Sequence, residues 1–96
     1  MSSITFIYDT YGGKHQLDKL IEELQEALIE AVKLKGFIEE TGSDIDADMI
    51  EPMMQECADV EVITEQFMGK FGLISELESY KEYKIERQLR RIRNSK

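Results

Sequence analysis

The amino-acid sequence predicts an all-α protein: a bundle of three long helices with a short helix at its N-terminus, completed by association with further copies. Three observations lead there. Apolar residues recur at helical spacing through most of the chain, no strand signal competes with them, and 96 residues are few for an independent core. A chain of this length buries only about 60–65% of its unfolded surface. A homodimer or homotetramer is therefore expected, with the whole of 1–96 as one domain.

Residues 3–11 are short, apolar and β-branched, a pattern that alone fits a strand or a helix, and Gly12-Gly13 ends it. In the bundle they form the short first helix. From about Lys14 to Lys35 the pattern is strongly helical. Leu17, Ile21, Leu24, Leu28 and Ala31 form a stripe that Leu20 and Ala27 widen, and Gly36 is the expected C-cap. The acidic stretch 36–47 reads as a loop. Asp46 or Asp48 then caps a third helix, with Pro52 in or near its first turn, that runs to about Met68 before Gly69. A final helix spans roughly Leu73 to Arg93, with an apolar stripe of Leu73, Leu77 and Tyr80.

Composition narrows the function classes. A hydrophobic share of 42%, a charged share of 33% and a single proline describe a folded domain. A net charge of −8 argues against nucleic acid and against anionic membrane surfaces as partners. Cys57 is the only cysteine, so an intrachain disulfide and cysteine-based zinc sites are excluded. No basic leader precedes the short apolar start, and no apolar run reaches the roughly 20 residues of a membrane span. The expected location is the cytoplasm. Charge is also divided along the chain: acids dominate from Glu22 to Glu65, whereas the last sixteen residues carry seven lysines and arginines.

The sharpest feature lies in the third helix. Met49, Met53, Glu56, Val60, Ile63 and Phe67 follow spacings of four and three, a core register with a carboxylate in one seat. A buried carboxylate needs a partner, and Asp59 stands one turn away. On the second helix Glu23, Glu26 and Glu30 border the leucine stripe. If the two helices pack stripe to stripe, Glu23, Glu26, Glu56 and Asp59 converge. Four such charges repel unless a cation neutralises them, and an all-oxygen set suits Mg²⁺, or Mn²⁺, better than zinc.

In this order the residues carry a resemblance. Glu22-Glu23-Leu24-Gln25-Glu26 followed by Glu56-Cys57-Ala58-Asp59 resembles the EExxE…ExxD signature of MazG-type nucleoside triphosphate pyrophosphohydrolases. The lead-in from Tyr11 to Ile21 and the basic segment from Glu82 to Leu89 resemble short single-domain members, so the similarity spans about residues 8–92. One departure is the 29 residues between Glu26 and Glu56, long for that family and expected to mean a long loop at 36–47. The resemblance implies Mg²⁺-dependent hydrolysis of a (deoxy)nucleoside triphosphate to the monophosphate and pyrophosphate, in nucleotide-pool house-cleaning. Within it, Glu22 is the candidate for activating water. Lys84 and Arg87 are candidates for gripping phosphates, Gln16 for hydrogen-bonding the base or ribose, and Tyr80 or Tyr83 for stacking on the base.

Bland readings compete. Acidic residues at helical spacing are commonly a solvated face, and cations near a helix C-terminus favour its dipole. Lone His15 suits a structural role or plain exposure, Cys57 a small core hydrophobe, and Met49, Met53, Met54 and Met68 core filling. The rival functions on the same scaffold are a non-catalytic helical interaction or regulatory protein and a nucleotide sensor.

Overall fold

The structure, a computed structural model, describes residues 3–95, which form four helices and no strand. They are α1 (Ser3–Tyr11), α2 (Gly13–Thr41), α3 (Ala47–Lys70) and α4 (Ile74–Asn94). The all-α expectation holds, and residues 3–11 are helix. The break between α1 and α2 is made by glycine. Gly12 has φ +85°, a conformation that side-chain-bearing residues rarely adopt, and a Cβ on Gly13 would sit 2.7 Å from the Tyr8 hydroxyl.

Two boundaries differ from the sequence reading. Gly36 is not a C-cap: α2 continues through it to Thr41, and Gly42 at φ +71° ends the helix, its N–H donating to the Ile38 carbonyl. The expected loop at 36–47 shrinks to residues 42–46, so the long gap between the acidic motifs is helix instead. A helix-interior glycine costs only about 1 kcal/mol, which the rest of a 29-residue helix absorbs. At the other side Asp46 is the N-cap of α3, its carboxylate accepting from the Met49 N–H at 3.1 Å. Pro52 lies beyond the first turn, inside the helix, and α3 reaches Lys70.

α2 and α3 form an antiparallel hairpin. Gln16 meets Gln66 at one level and Glu23 meets Asp59 nearer the turn, so numbering runs in opposite directions on the two helices. α1 packs across α3, where Tyr8 sets its ring edge-on to Phe67 (5.2 Å) and Phe71 (6.1 Å). α4 touches only α3.

The α3 register enters this interface as expected, with Ile63 buried and Met49, Met53, Glu56, Val60 and Phe67 half-buried. The α2 stripe does not. Leu17, Ile21, Leu24 and Leu28 are each 49–62% exposed and face away from α3. The inward face is the neighbouring register Gln16, Leu20, Glu23, Ala27, Glu30 and Leu34, buried or half-buried throughout. The stripe-to-stripe packing is thus corrected: α2 turns a mixed polar face inward and its richest apolar face outward. Cys57, Met54, Leu73 and Tyr80 are exposed as well, so Cys57 and Met54 are not core filling.

One chain accordingly has almost no apolar core, Ile63 being the one fully buried hydrophobic residue among those described. Its surface of 7465 Å² stands about 1,800 Å² above the roughly 5,700 Å² expected of a globular monomer of 11.2 kDa.

Candidate metal centre

The hairpin brings the acidic motifs together. Carboxylate oxygens of Glu23, Glu56 and Asp59 lie within 4.8 Å of one another, and those of Glu22, Glu23 and Glu26 form a second such group. Glu23 belongs to both groups and is only 5% exposed. It sits in the inward register of α2, opposite the core seat that Glu56 holds on α3. Glu56 and Glu26 are half-buried, while Glu22 and Asp59 stand at the rim.

The cluster is incompletely satisfied. Glu23 Oε1 is 3.1 Å from the Lys19 ammonium one turn earlier, but Glu23 Oε2 and Glu56 Oε2 are buried without any hydrogen-bond partner among the described residues. Buried carboxylate oxygens without donors are costly. The protonation of the site reflects this. A hydrogen bond to Glu26, then burial, then the charges of Glu26, Glu23 and Asp59 push the Glu56 carboxyl up to about 7. Glu23 moves the other way: the hydrogen bond from Lys19 holds it below the usual carboxylate value, against the effect of burial. The same contact raises the Lys19 ammonium. Near neutrality the group is therefore balanced by one ammonium and one labile proton.

This donor set fits a hard divalent ion. All candidate ligands are carboxylate oxygens from two rigid helices, and two of those oxygens are buried and unpartnered. Glu23, Glu26, Glu56 and Asp59 are the residues that would hold it.

A groove of about 450 Å³ opens beside the carboxylates, with Glu23 and Asp59 in one wall and Gln16 and Gln66 in the same lining. Gln16, predicted to contact substrate, is buried, and its amide nitrogen donates to Gln66 Oε1. Gln66 was not singled out in the sequence. Its signal was there in the spacing Asp59, Ile63, Gln66, Lys70, a four-three-four face of α3 carrying a glutamine beside an apolar neighbour. Lys19 was likewise overlooked as the partner of Glu23, although i,i+4 spacing gives it. His15 is exposed, stacks on Tyr11 and places Nδ1 2.9 Å from Gln16 Oε1.

Lys84 and Arg87 are not brought to the carboxylates within one chain. α4 makes no contact with α2, and neither residue forms an ion pair among the described residues. The Arg87 guanidinium instead lies 6.0 Å from the centre of the Tyr83 ring. Tyr80 and Tyr83 line a separate groove on α4 with Ser75, Glu76 and Ser79. No helix is long and apolar enough to cross a membrane. Compared with protein families, characterised proteins and solved structures, the chain matches none.

Proposed function

We propose that this protein is a Mg²⁺-dependent nucleoside triphosphate pyrophosphohydrolase acting on free (d)NTPs in the cytoplasm. One observation carries the reading. Four carboxylates from two helices meet in a partly dry space, where two buried oxygens lack partners. The similarity of their order to MazG-type signatures supports it.

Mg²⁺ bound there would supply positive charge against the phosphate oxygens of the substrate. The chain's own residues do the rest. Glu23 and Glu56 are fixed by the helix interface, so the ligand set is pre-organised. Glu22, at the rim with its side chain 58% exposed, is placed to accept a proton from the attacking water. That water bonds to the α-phosphorus, the bond from the α-phosphorus to the bridging oxygen breaks, and pyrophosphate leaves with the electron pair.

The working form is a homodimer, or a tetramer built from it. An excess surface of about 1,800 Å² per chain is what an obligate interface buries per partner. The exposed ridge Leu17, Ile21, Leu24 and Leu28 supplies its apolar centre. Lys84 and Arg87, unpaired on α4, are the cations available for phosphate oxygens in such an assembly.

Incubation with the eight common (d)NTPs and Mg²⁺ tests this: monophosphate plus pyrophosphate is expected, and release of single phosphate would mean another reaction. A second reading, a non-catalytic interaction protein, draws on Lys19 and the labile proton of Glu56, which can balance the acids without a metal. It requires that divalent ions leave the protein unaffected.

A further inference from the structure

The geometry points to Gln16 and Gln66 as the pair that reads the nucleobase, selecting bases whose far edge carries a carbonyl group over those that carry an amino group there. This rests on the hydrolase reading and adds the substrate class to it.

Position comes first. Gln16 precedes Glu23 by seven residues and Gln66 follows Asp59 by seven, so on antiparallel helices both amides lie two turns from the carboxylates, at the same end. Two turns are about 10 Å. A ribose separates the α-phosphate of a nucleotide from the far edge of its base by a comparable span. A triphosphate held at Glu23 and Asp59 therefore brings its base to the glutamines along one continuous groove, whose volume of about 450 Å³ suits a small ligand.

The chemistry of the amides comes second. Both side chains are nearly buried, at 4% and 3% exposure, yet both line the groove. Gln16 Oε1 faces His15 Nδ1, and since an amide oxygen only accepts, the imidazole proton sits on Nδ1. Gln16 Nε2 donates to Gln66 Oε1. Both oxygens are thus engaged. What remains toward a ligand is a second proton on Gln16 Nε2 and the protons of Gln66 Nε2, which has no partner among the described residues. The chain His15 to Gln16 to Gln66 ends in donors. Such an edge matches the O4 of uracil or thymine and the O6 of guanine or hypoxanthine; the amino groups of cytosine and adenine would oppose donor to donor. Val62 and Ile63 supply an apolar wall for the base, and the parallel Tyr11–His15 pair an aromatic ledge.

The experiment compares kcat/KM within two size-matched pairs, dUTP against dCTP and dGTP against dATP, for the wild type, Gln66→Leu and Gln66→Glu. The wild type is expected to favour the oxo member of each pair roughly tenfold or more, the scale of a built hydrogen-bonding edge. Gln66→Leu should bring both ratios towards one, and Gln66→Glu, which replaces donors by an acceptor, should move them in favour of dCTP and dATP. Ratios within one variant cancel a general loss of active protein, and the wild-type ratios stand whether or not a variant folds. Parity in the wild type, or an unchanged preference in folded variants, overturns the assignment while leaving the hydrolase intact. Absence of monophosphate and pyrophosphate from every nucleotide overturns the hydrolase reading and this inference with it.

Discussion

The two faces of α2 are built the wrong way round for an isolated protein. The face against α3 carries Gln16, Glu23 and Glu30, whereas the face toward solvent carries Leu17, Ile21, Leu24 and Leu28. Each follows the same four-three spacing, one residue out of step with the other. The difference shows that the hairpin interior serves chemistry and the exterior serves stability. The inward face tolerates charge because a cation can sit there, and the outward face awaits another apolar surface.

Breaking the outer face should have the largest effect. Ile21→Asp combined with Leu28→Asp removes two apolar side chains from the proposed interface, each worth about 1.5–3 kcal/mol when fully buried. Sedimentation should then show dissociated chains with greatly reduced thermal stability. A stable, active wild-type monomer would contradict the comparison at its root.

The inner face is broken by Glu56→Gln, which keeps shape but removes a ligand. Pyrophosphate release should fall by at least about a hundredfold. The metal-free protein should melt higher than wild type at pH 8, because a carboxyl that the fold prefers protonated is gone. A variant that lost stability along with activity would mean that Glu56 is a structural acid.

The pH dependence follows the same group. Glu56 has a folded value of about 7 against 4.5 for the free side chain, so the folded state binds the extra proton. Its contribution is complete below about pH 4.5 and is lost as pH rises through 7. Glu23, shifted down, contributes above its ordinary value and is lost in acid. Melting curves without metal should therefore show stability declining between pH 5 and 8. Mg²⁺ should flatten that decline, and its binding should release close to one proton at pH 6 and few at pH 8, read by calorimetry in buffers of different ionisation enthalpy.

Smaller effects sharpen the frame that holds the two faces. Gly13→Ala drives a methyl against the Tyr8 hydroxyl and should cost about 1–3 kcal/mol. Asp46→Ala removes the α3 cap and should cost about 1 kcal/mol in denaturant titrations.

Much of this was legible in the sequence. Helical spacing located all four helices, and the carboxylate in the seat of Glu56 marked the site. The inward face of α2 was not legible, because hydrophobicity alone favours the leucine ridge and gives no sign of whether a partner lies in the same chain or another. Gly36 misled for a related reason. A glycine signals a helix end only where φ must be positive; here Gly42 meets that need, and half-buried Phe37 belongs to the continuing helix. Lys84 and Arg87 read correctly as a basic helix, but their distance from the acids depends on the path of α4 after Gly72, which no periodicity encodes.

Manganese titration followed by electron paramagnetic resonance addresses the metal centre most directly, since bound Mn²⁺ loses the sharp signal of the free ion. Wild type at pH 7.5 should quench that signal saturably, Mg²⁺ should restore it by competition, and Glu56→Gln should bind far more weakly. An unquenched signal, or equal quenching by the variant, would contradict a divalent-ion site between α2 and α3.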